Sequence, residues 1–431
     1  MNSKLSGRVL ASLIIFSLIG QIAWVVENMY FNVFIYKMFR ANAAAISTMV
    51  SASAVAATLT TILMGALSDK VGKRKLFITG GYIVWGISIL AFALIRMDIL
   101  TGITGSALEA MSLGVSLVII MDCVMTFFGS TANDACFNAW LTDSTNEGSR
   151  GKAEGINSMM PLLAVLVVFG GFMGFDLDKA ESWTLIYLII GGVVLFSGLL
   201  GIFLLEDPKL TPQKNDSLLG TVIYGFRPNV IRENRALYHT LLSFVLFSIS
   251  IQVFMPYLIL YYTVGLRLDN YVLILAPAII LASVVTFVYG RIYDRFGYSR
   301  TVIPTILLLM AGYTLLYFFR QIPPVFIGTF LMLSGYLSGM AVFGAMIRDN
   351  TPAGKAGRFQ GLRIFSQVLI PGVIGPWIGA FVLRNADTIL NDDGTRSFIP
   401  NQSIFLAAFV AAVVALAAVL LFRRRQAAEK S

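Results

Sequence analysis

The sequence predicts an all-α membrane protein with twelve transmembrane helices arranged as two pseudo-symmetric six-helix bundles. The chain is 57% hydrophobic and only 13% charged, whereas soluble proteins carry about 25% charged residues. Apolar runs of about 20 residues, enough to cross a bilayer as a helix, recur along its whole length. These runs lack the two-residue alternation of barrel strands, so they are expected to be helices.

Polar breaks between the apolar runs define the expected spans and domains. Twelve spans are predicted near 9–36, 45–67, 76–96, 112–141, 157–175, 184–205, 237–262, 270–289, 301–319, 324–347, 362–383 and 403–422. The longest internal polar stretch falls midway and begins EDPKLTPQKNDS, which is typical of a linker. The predicted domains are an N-terminal bundle over 1–205, a cytoplasmic linker over 206–236, and a C-terminal bundle with a short basic tail over 237–431.

The distribution of basic residues predicts the orientation of the chain. With twelve spans, both termini lie on one side, and 24 of the 32 Lys and Arg residues fall in the loops and tails of that side. Cytoplasmic loops of membrane proteins collect Lys and Arg, so both termini are expected in the cytoplasm and the protein in the plasma membrane. The net charge of +9 is explained by this bias and gives no reason to expect a nucleic-acid partner.

An internal repeat links the two halves. Gly65, Asp69, Lys70 and Gly72 of GALSDKVGKRK recur in GRIYDRFGYSR as Gly290, Asp294, Arg295 and Gly297. Asp143 in DSTNEGSRGKAEG recurs as Asp349 in DNTPAGKAGRFQG, and FSLIGQ (16–21) recurs as FSISIQ (247–252). Three matches in the same order, each between corresponding spans, indicate a duplicated and parallel arrangement.

The repeated loops are candidate gates on the cytoplasmic side. Glycines allow a tight turn there, and Asp69 is expected to accept backbone N–H groups at a neighbouring helix N-terminus. Such a clamp suits one conformational state and must break in another, although a plain positive-inside loop is the simpler alternative. Besides the repeated residues, the gating prediction includes Arg74, Asp143, Arg150, Asp349 and Arg358.

The pattern G-x-x-x-D-K/R-x-G-x-R/K-R/K after span 2, with its copy after span 8, resembles the signature loop of the major facilitator superfamily. The resemblance covers the whole chain and implies alternating access around a cavity lined chiefly by spans 1, 4, 7 and 10. It also implies that Asp69, and by repetition Asp294, stabilises the outward-facing state.

GQIAWVVENMY in span 1 and NDACFNAWLTD in span 4 resemble the sucrose and glycoside–cation symporters. Span 2 lacks the acid pair that bacterial glycoside–sodium symporters carry.

Three acids, Glu27, Asp122 and Asp134, fall inside predicted spans and form the predicted cation-coupling site. An ionisable group in a span costs several kcal/mol and is a functional hypothesis by default. Counting residues places Glu27 and Asp122 at nearly the same depth, where two carboxylates would share a proton or a cation. In a regular helix Asp134 lies about 100° from the face of Asp122.

Polar and aromatic residues on the same helices form the predicted substrate site. Spans 1 and 4 contribute Gln21, Trp24, Asn28, Asn32, Thr126, Asn133 and Trp140, and span 7 contributes Gln252, Tyr257 and Tyr261. Amides, acids and indoles suit a sugar, although amides also join membrane helices by hydrogen bonds. The repeat partners of the three acids are Leu258, Gly328 and Met340. The N-terminal half is therefore expected to couple the cation, and the C-terminal half to supply more of the substrate grip.

The predicted function is secondary active symport of a small polar solute, such as a sugar or glycoside, with a proton or sodium ion. A drug–proton antiporter is the main alternative, but GVIGPWIGA lies in span 11 whereas antiporters carry their Gly-Pro motif in span 5. Span 4 also lacks the buried arginine of those antiporters. A non-transporting receptor on the same fold is a second alternative.

The sequence contains no metal-ligand cluster, nucleophile elbow or phosphate loop, so no enzyme activity, metal or cofactor is predicted. A monomer is expected.

Overall fold

The computed structural model describes residues 5–145, 147–207, 224–268, 270–352 and 356–428, without the side chains of 147–148, 299, 356–358, 360 and 424–428. Within these residues twelve helices are long and apolar enough to cross a membrane. Spans 1 to 12 run over Gly7–Phe39, Ala43–Val71, Arg74–Phe92, Ala107–Asp143, Ser149–Phe172, Ala180–Leu204, Arg235–Gly265, Val272–Phe296, Arg300–Phe318, Ile322–Asn350, Gly361–Leu383 and Ser403–Arg423. The predicted all-α class and the twelve spans are confirmed.

The chain forms two compact units, Met1–Leu218 and Leu219–Ser431, called here the N-terminal and C-terminal units. In the N-terminal unit span 1 packs on span 5, span 2 on span 4, and span 3 on span 6. In the C-terminal unit the equivalent pairs pack together, span 7 on span 11, span 8 on span 10, and span 9 on span 12. The pseudo-symmetry predicted from the repeat is therefore present in the packing of each unit.

Glycine allows the closest helix contacts. A Cβ added at Gly86 of span 3 would lie 2.4 Å from the backbone nitrogen of Leu195 in span 6. A Cβ at Gly335 of span 10 would lie equally close to the backbone nitrogen of Leu309 in span 9. Because lipid is as apolar as the side chains, membrane helices associate through such close backbone packing. Both contacts are possible only because glycine has no side chain.

Several spans are not regular α-helices throughout. Span 1 contains a π-helical turn at Val26–Tyr30, and span 4 contains a longer π-helical segment at Ser130–Phe137. In the C-terminal unit span 7 has a 3₁₀ turn at Met255–Tyr257 followed by a π-helical turn at Tyr261–Gly265. Span 11 also has a π-helical turn, at Phe365–Leu369. A π turn inserts an extra residue into the helix and often occurs at functional sites. In spans 1 and 4 these turns carry two of the three acids.

The connections contain little further structure. A short helix, Met97–Thr104, joins spans 3 and 4, and another, Pro228–Glu233, precedes span 7. Strands Thr388–Leu390 and Arg396–Phe398 form an antiparallel hairpin between spans 11 and 12, which the sequence did not predict. Most of the predicted linker, residues 208–223, lies outside the described residues. The predicted domain boundaries therefore remain predictions.

Candidate functional site

Glu27 is the centre of the candidate site. It lies in the π-helical turn of span 1 and only 7% of its surface is exposed. Its Oε1 accepts hydrogen bonds from the Ser53 hydroxyl of span 2 at 2.8 Å and from the Thr126 hydroxyl of span 4 at 2.7 Å. The two hydroxyl oxygens are themselves 2.8 Å apart. Three oxygens from three spans therefore form a closed triangle.

Asp122 lies beside this triangle. It is 2% exposed and stands one helical turn before Thr126 on span 4. It is in electrostatic contact with Glu27 and interacts with the Ser53 hydroxyl. The second carboxylate oxygen of Glu27 and Oδ1 of Asp122 are buried without a hydrogen-bond partner. The pair thus keeps two free acceptor atoms, as a site for a proton or a small cation requires.

Glu27 and Asp122 lie close together, as sharing a proton or a cation requires. Glu27 is bonded to Thr126, which stands one helical turn after Asp122 on span 4. Their common depth in the membrane stays a prediction.

Asp134, the third predicted acid, lies in the π-helical segment of span 4. Its Oδ2 accepts a hydrogen bond from Ser130 at 3.1 Å, and its carboxylate is in electrostatic contact with Glu27. A regular helix would turn Asp134 about 100° from the face of Asp122. The wider winding at Ser130–Phe137 alters this angle. The angle between Asp134 and the face of Asp122 stays a prediction.

Two tryptophans border the acids. The rings of Trp24 and Trp85 lie 5.0 Å apart, and a Cβ at Gly129 would come within 2.9 Å of both rings. The indole nitrogens of both side chains are buried without a hydrogen-bond partner. The Trp24 side chain also interacts with the Asp134 carboxylate.

Other predicted substrate residues of the N-terminal unit contact protein groups. The Asn133 amide donates to the Tyr82 hydroxyl at 2.8 Å and to the Phe16 carbonyl at 3.3 Å. The Trp140 indole donates to the Glu206 carbonyl at 2.8 Å. These contacts join helices to their neighbours, which is the packing alternative for such polar residues. A substrate role for Asn133 and Trp140 remains a prediction.

The amides of span 1 have a different environment. Asn28 is exposed and donates to the Trp24 carbonyl at 2.8 Å, while Asn32 is buried and donates to the Asn28 carbonyl at 2.9 Å. Oδ1 of Asn32 has no hydrogen-bond partner. Gln21 is half-buried. Asn28 is thus the most accessible polar side chain among those predicted on span 1.

The predicted residues of span 7 pack within the C-terminal unit. The Tyr257 hydroxyl donates to the Pro376 carbonyl at 3.4 Å, and the Tyr261 hydroxyl donates to the Leu316 carbonyl at 3.2 Å. A Cβ at Gly375 would lie 2.4 Å from Cβ of Gln252. These residues connect span 7 to its neighbouring spans, and their role in substrate binding is a prediction.

The first repeated loop is organised around Arg74. This side chain is 7% exposed, forms ion pairs with Asp69 and Asp143, and donates to the Ser68 hydroxyl. Asp69 was expected to cap a helix N-terminus, but Asp207 is the carboxylate that accepts the Lys75 backbone N–H, at 2.7 Å. The Arg74 guanidinium has five N–H donors and can bind two carboxylates at once, so Asp69 pairs with Arg74 instead of capping a helix.

The surroundings of this loop agree with a tight turn. Gly72 ends span 2 in the left-handed region at φ 71°, where glycine is favoured. Gly65 packs against Ala135 of span 4, and Lys70 is exposed. Arg150 is exposed and donates to the Thr142 carbonyl at 3.3 Å. The predicted gating residues of this loop therefore join spans 2, 3 and 4, with Arg74 at the centre.

The second loop also turns at a glycine with positive φ, but its backbone conformation and its contacts differ. Gly297 adopts φ 70°, but Asp349 accepts a hydrogen bond from the Tyr293 hydroxyl at 2.5 Å instead of a guanidinium. The position equivalent to Arg74 is Ser299. Gly290 and Asp294 are exposed, and Arg295 stacks on the Phe296 ring. The side chain of Arg358 lies outside the described residues.

Sequence reasoning identified the Thr126 hydroxyl but missed two serine hydroxyls and the contribution of span 3. Ser53, Ser130 and Trp85 were not predicted, although Ser53 contacts Glu27 directly. Span 2 carries many hydroxyl residues between 47 and 61, which was the available signal. That signal does not identify Ser53, since threonine and serine in membrane helices also bond their own backbone, as Thr58 and Thr61 do. Among the described residues, no three His, Cys, Asp or Glu side chains are grouped to hold a metal ion.

The chain is similar to known membrane transporters. The nucleoside transporter NupG matches with 14% identity and a TM-score of 0.70, over 96% of this chain and 98% of that one. A bacterial homologue of the human lysosomal transporter Spinster matches with 16% identity and a TM-score of 0.69, over 97% and 98%. A D-xylose–proton symporter matches with 12% identity and a TM-score of 0.70, over 95% and 97%. These likenesses show the fold.

The family is shown by the sequence itself. The model of the Major Facilitator Superfamily matches residues 9–335 and, in a second match, 272–431. No curated protein matches the sequence. The family matches span both repeated loops and all twelve spans, and members of this family move small molecules across membranes without acting as enzymes. The chain therefore belongs to the major facilitator superfamily and is a multi-pass membrane transporter of a small-molecule substrate.

Proposed function

We propose that this transporter is a proton-coupled symporter of a small polar solute, such as a sugar or glycoside. The observation that carries the proposal is the oxygen triangle of Glu27, Ser53 and Thr126 beside Asp122. Its members come from spans 1, 2 and 4, so protonation of one acid affects contacts between three helices. Small changes at such a site can bias the packing of a helix bundle between two states.

A count of hydrogens favours the proton over sodium. The triangle has three oxygen–oxygen contacts of 2.7 to 2.8 Å, each of hydrogen-bond length. Ser53 and Thr126 supply one hydrogen each, because a hydroxyl donates once. An ionised Glu27 would leave one contact without a hydrogen. A proton on Oε1 of Glu27 supplies the third hydrogen: Glu27 then donates to one hydroxyl, that hydroxyl turns and donates to the other, and the other donates back to Oε1.

Asp122 gives the bound proton a second acceptor. Glu27 and Asp122 are both more than nine-tenths buried and in electrostatic contact. Two carboxylates so close in a low-dielectric site cannot both be ionised at low cost, so they share protons as a pair. Proton uptake and release by this pair would then accompany each transport cycle.

The nature of the solute is supported by polar and aromatic groups near the acids. Trp24 is partly exposed beside the acids, and Asn28 presents an exposed amide one helical turn further along span 1. An indole face with hydrogen-bonding groups suits the apolar face and hydroxyls of a sugar. The similar structures include a nucleoside transporter and a D-xylose–proton symporter, both named for polar solutes.

The proposed setting is a monomer in the plasma membrane with both termini in the cytoplasm. The excess of Lys and Arg on one side supports this orientation.

The direction of proton movement is supported by the charges around Glu27 and Asp122. In the part of the chain that the structure describes, their electrostatic neighbours are other carboxyl groups and not basic groups. A carboxylate pair without a paired base favours uptake of proton and solute together over exchange.

The test is accumulation of labelled sucrose, D-xylose and uridine in liposomes that contain the purified protein. A pH gradient is expected to drive accumulation of at least one solute, and a sodium gradient at equal pH is not. Glu27→Gln and Asp122→Asn are expected to abolish accumulation while solute exchange continues. Glu109→Gln, which changes an exposed carboxyl on the same span 4, is the matched control and should behave as the unchanged protein.

Each other result contradicts part of the proposal. Accumulation driven by sodium alone would assign sodium to the site, and proton movement opposite to solute would indicate an antiporter. Full accumulation in both acid variants would remove the coupling role of the pair. Failure of all three solutes under a proton gradient would reject sugar and nucleoside symport and favour a receptor.

A further inference from the structure

A separate cavity lies at the end of the N-terminal unit where span 1 begins and spans 4 and 6 end. Its volume is about 320 Å³, which falls in the range of sites for small ligands. Its lining residues include Arg8, Ser12, Trp140, Asp143, Glu206 and Asp207. The three acids of the candidate site are not among its lining residues. The proposed orientation of the chain puts this cavity on the cytoplasmic side.

The lining of this cavity carries more negative than positive charge. Asp143, Glu206 and Asp207 line it, and among the described lining residues only Arg8 is basic. Arg8 is ion-paired with Glu206, and Asp143 pairs with Arg74, which it shares with a second acid. Asp207 accepts a backbone N–H at 2.7 Å and has no ion-pair partner in the part of the chain that the structure describes. At least one full negative charge therefore faces the cavity without a counter-charge.

The Arg8 guanidinium is held by the end of span 6. Each of its three nitrogens donates to a protein group: the Leu204 carbonyl at 2.8 Å, a second carbonyl of the same turn and the Glu206 carboxylate. An anionic ligand would have to displace these contacts and would meet Asp143 and Asp207. The cavity is therefore suited to a cationic ligand and not to an anion.

Ser12 supplies an unused hydroxyl to the same cavity. It is 0% exposed, lines the cavity, and its Oγ has no hydrogen-bond partner. Serine and threonine in helices often donate to the carbonyl four residues earlier, as Ser116 and Thr58 do. Ser12 lacks even this bond. A buried hydroxyl without a partner is costly, and a polar group of a ligand in the cavity would satisfy it.

We propose that this cavity binds a soluble aliphatic diamine or polyamine, with one ammonium group held by Asp207 and the Ser12 hydroxyl. An ammonium group has three N–H donors and no acceptor, which matches a site of carboxylates and hydroxyls. Asp143 is the carboxylate for a second ammonium group, and Val9 and Leu204 add apolar wall for the methylene chain between them. The amine is a ligand of the N-terminal unit, bound apart from the transported solute, so this inference does not depend on the proposed function.

The experiment measures binding of 1,4-diaminobutane and spermidine by calorimetry to the full-length protein in phosphatidylcholine nanodiscs. Asp207→Asn keeps an oxygen for the backbone N–H and removes the charge, while Ser12→Ala removes the hydroxyl. Glu109→Gln and Ser116→Ala, at an exposed acid and an exposed serine of span 4, are the matched controls. Tetramethylammonium is the reference cation, because it carries the charge without N–H donors. A second set of nanodiscs contains phosphatidylethanolamine, whose headgroup offers the same ammonium chemistry from the lipid.

Both amines are expected to bind at one site per protein. Asp207→Asn should lower their affinity about tenfold or more, the usual effect of losing a hydrogen bond to a charged group. Ser12→Ala should lower it about threefold to tenfold, as for a neutral hydrogen bond. The control variants should stay within about twofold of the unchanged protein. Tetramethylammonium should bind at least about tenfold more weakly, and phosphatidylethanolamine should leave the amine affinity unchanged.

Four results would overturn the inference. The first is that neither amine binds. The second is equal binding of tetramethylammonium, which would mean a general attraction of positive charge. The third is amine binding that survives Asp207→Asn and Ser12→Ala but is lost in Glu27→Gln, which would place the amine at the candidate site. The fourth is competition by phosphatidylethanolamine, which would assign the cavity to a lipid headgroup. None of these results changes the outcome of the solute-accumulation tests, so the two proposals fail separately.

Discussion

The two units share their helix packing but differ in chemistry at equivalent positions. In the N-terminal unit Glu27, Ser53 and Thr126 form a buried polar triangle. The repeat places Leu258, Ala278 and Met332 at the same positions of the C-terminal unit, and each is at most 1% exposed. The repeated loops differ similarly, since Arg74 pairs with two acids and its equivalent is a serine. Helix packing of this kind therefore forms without acids at these positions, which supports the proposed coupling role of Glu27 and Asp122.

The largest expected effect comes from exchanging the residues that the two units carry at one repeat position, Glu27 and Leu258. Leu258→Glu places an unpaired acid in an apolar site and should lower the free energy of unfolding by about 3–5 kcal/mol. Glu27→Leu should leave stability unchanged or raise it, because apolar replacement of a buried ionisable group is often neutral or stabilising. Thermal unfolding in detergent measures both, and Leu258→Met is the control. Equal stability of Leu258→Glu and its control would break the comparison.

The next effect concerns the loops. Arg74→Ala leaves Asp69 and Asp143 without their shared partner, and because those carboxylates are partly exposed we expect a loss of about 2 kcal/mol. Arg295→Ala, in the loop of the C-terminal unit, removes an exposed side chain and should change stability by less than about 0.5 kcal/mol. The measurement is the unfolding temperature of the two variants. Similar shifts would mean that the loops are equivalent after all.

An effect of similar size tests whether the shared packing depends on close backbone contact. Gly335→Ala adds a Cβ 2.4 Å from the backbone of span 9, and overpacking of this kind costs about 1–3 kcal/mol. Gly344→Ala, on the same span 10, meets nothing within 4 Å and should stabilise the helix by about 0.5–1 kcal/mol. Opposite changes in unfolding temperature are expected, and a stable Gly335→Ala variant would contradict the contact.

The smallest effect separates packing from binding in span 7. Tyr257→Phe removes a long hydrogen bond to Pro376 and should cost less than about 1 kcal/mol. Stability in detergent and affinity for the transported solute are measured together. A fall in affinity with unchanged stability would support the predicted substrate role of Tyr257, and unchanged affinity would assign this hydroxyl to packing.

The sequence predicted much of the site because buried charge is rare. Glu27 and Asp122 stand out in apolar helices, and their mutual contact is present in the structure. Asp134 was assigned a separate face on a regular helical wheel, and only the structure shows that it lies in a π-helical segment. Ser53 escaped notice, because one serine among many carries no signal of its own. Asn133 and Trp140 fit a polar face on the wheel, yet each donates to a neighbouring protein group.

The amino-acid sequence by itself determined the twelve spans, the duplication and the presence of acids among apolar residues. These follow from hydropathy and repetition, which are local properties of the chain. Only the tertiary structure decided that Glu27 meets two hydroxyls, that Arg74 joins two acids, and that Trp24 packs against Trp85. Such contacts depend on the rotation of each helix and on local π turns. Both arise from packing between segments distant in sequence, so no local pattern encodes them.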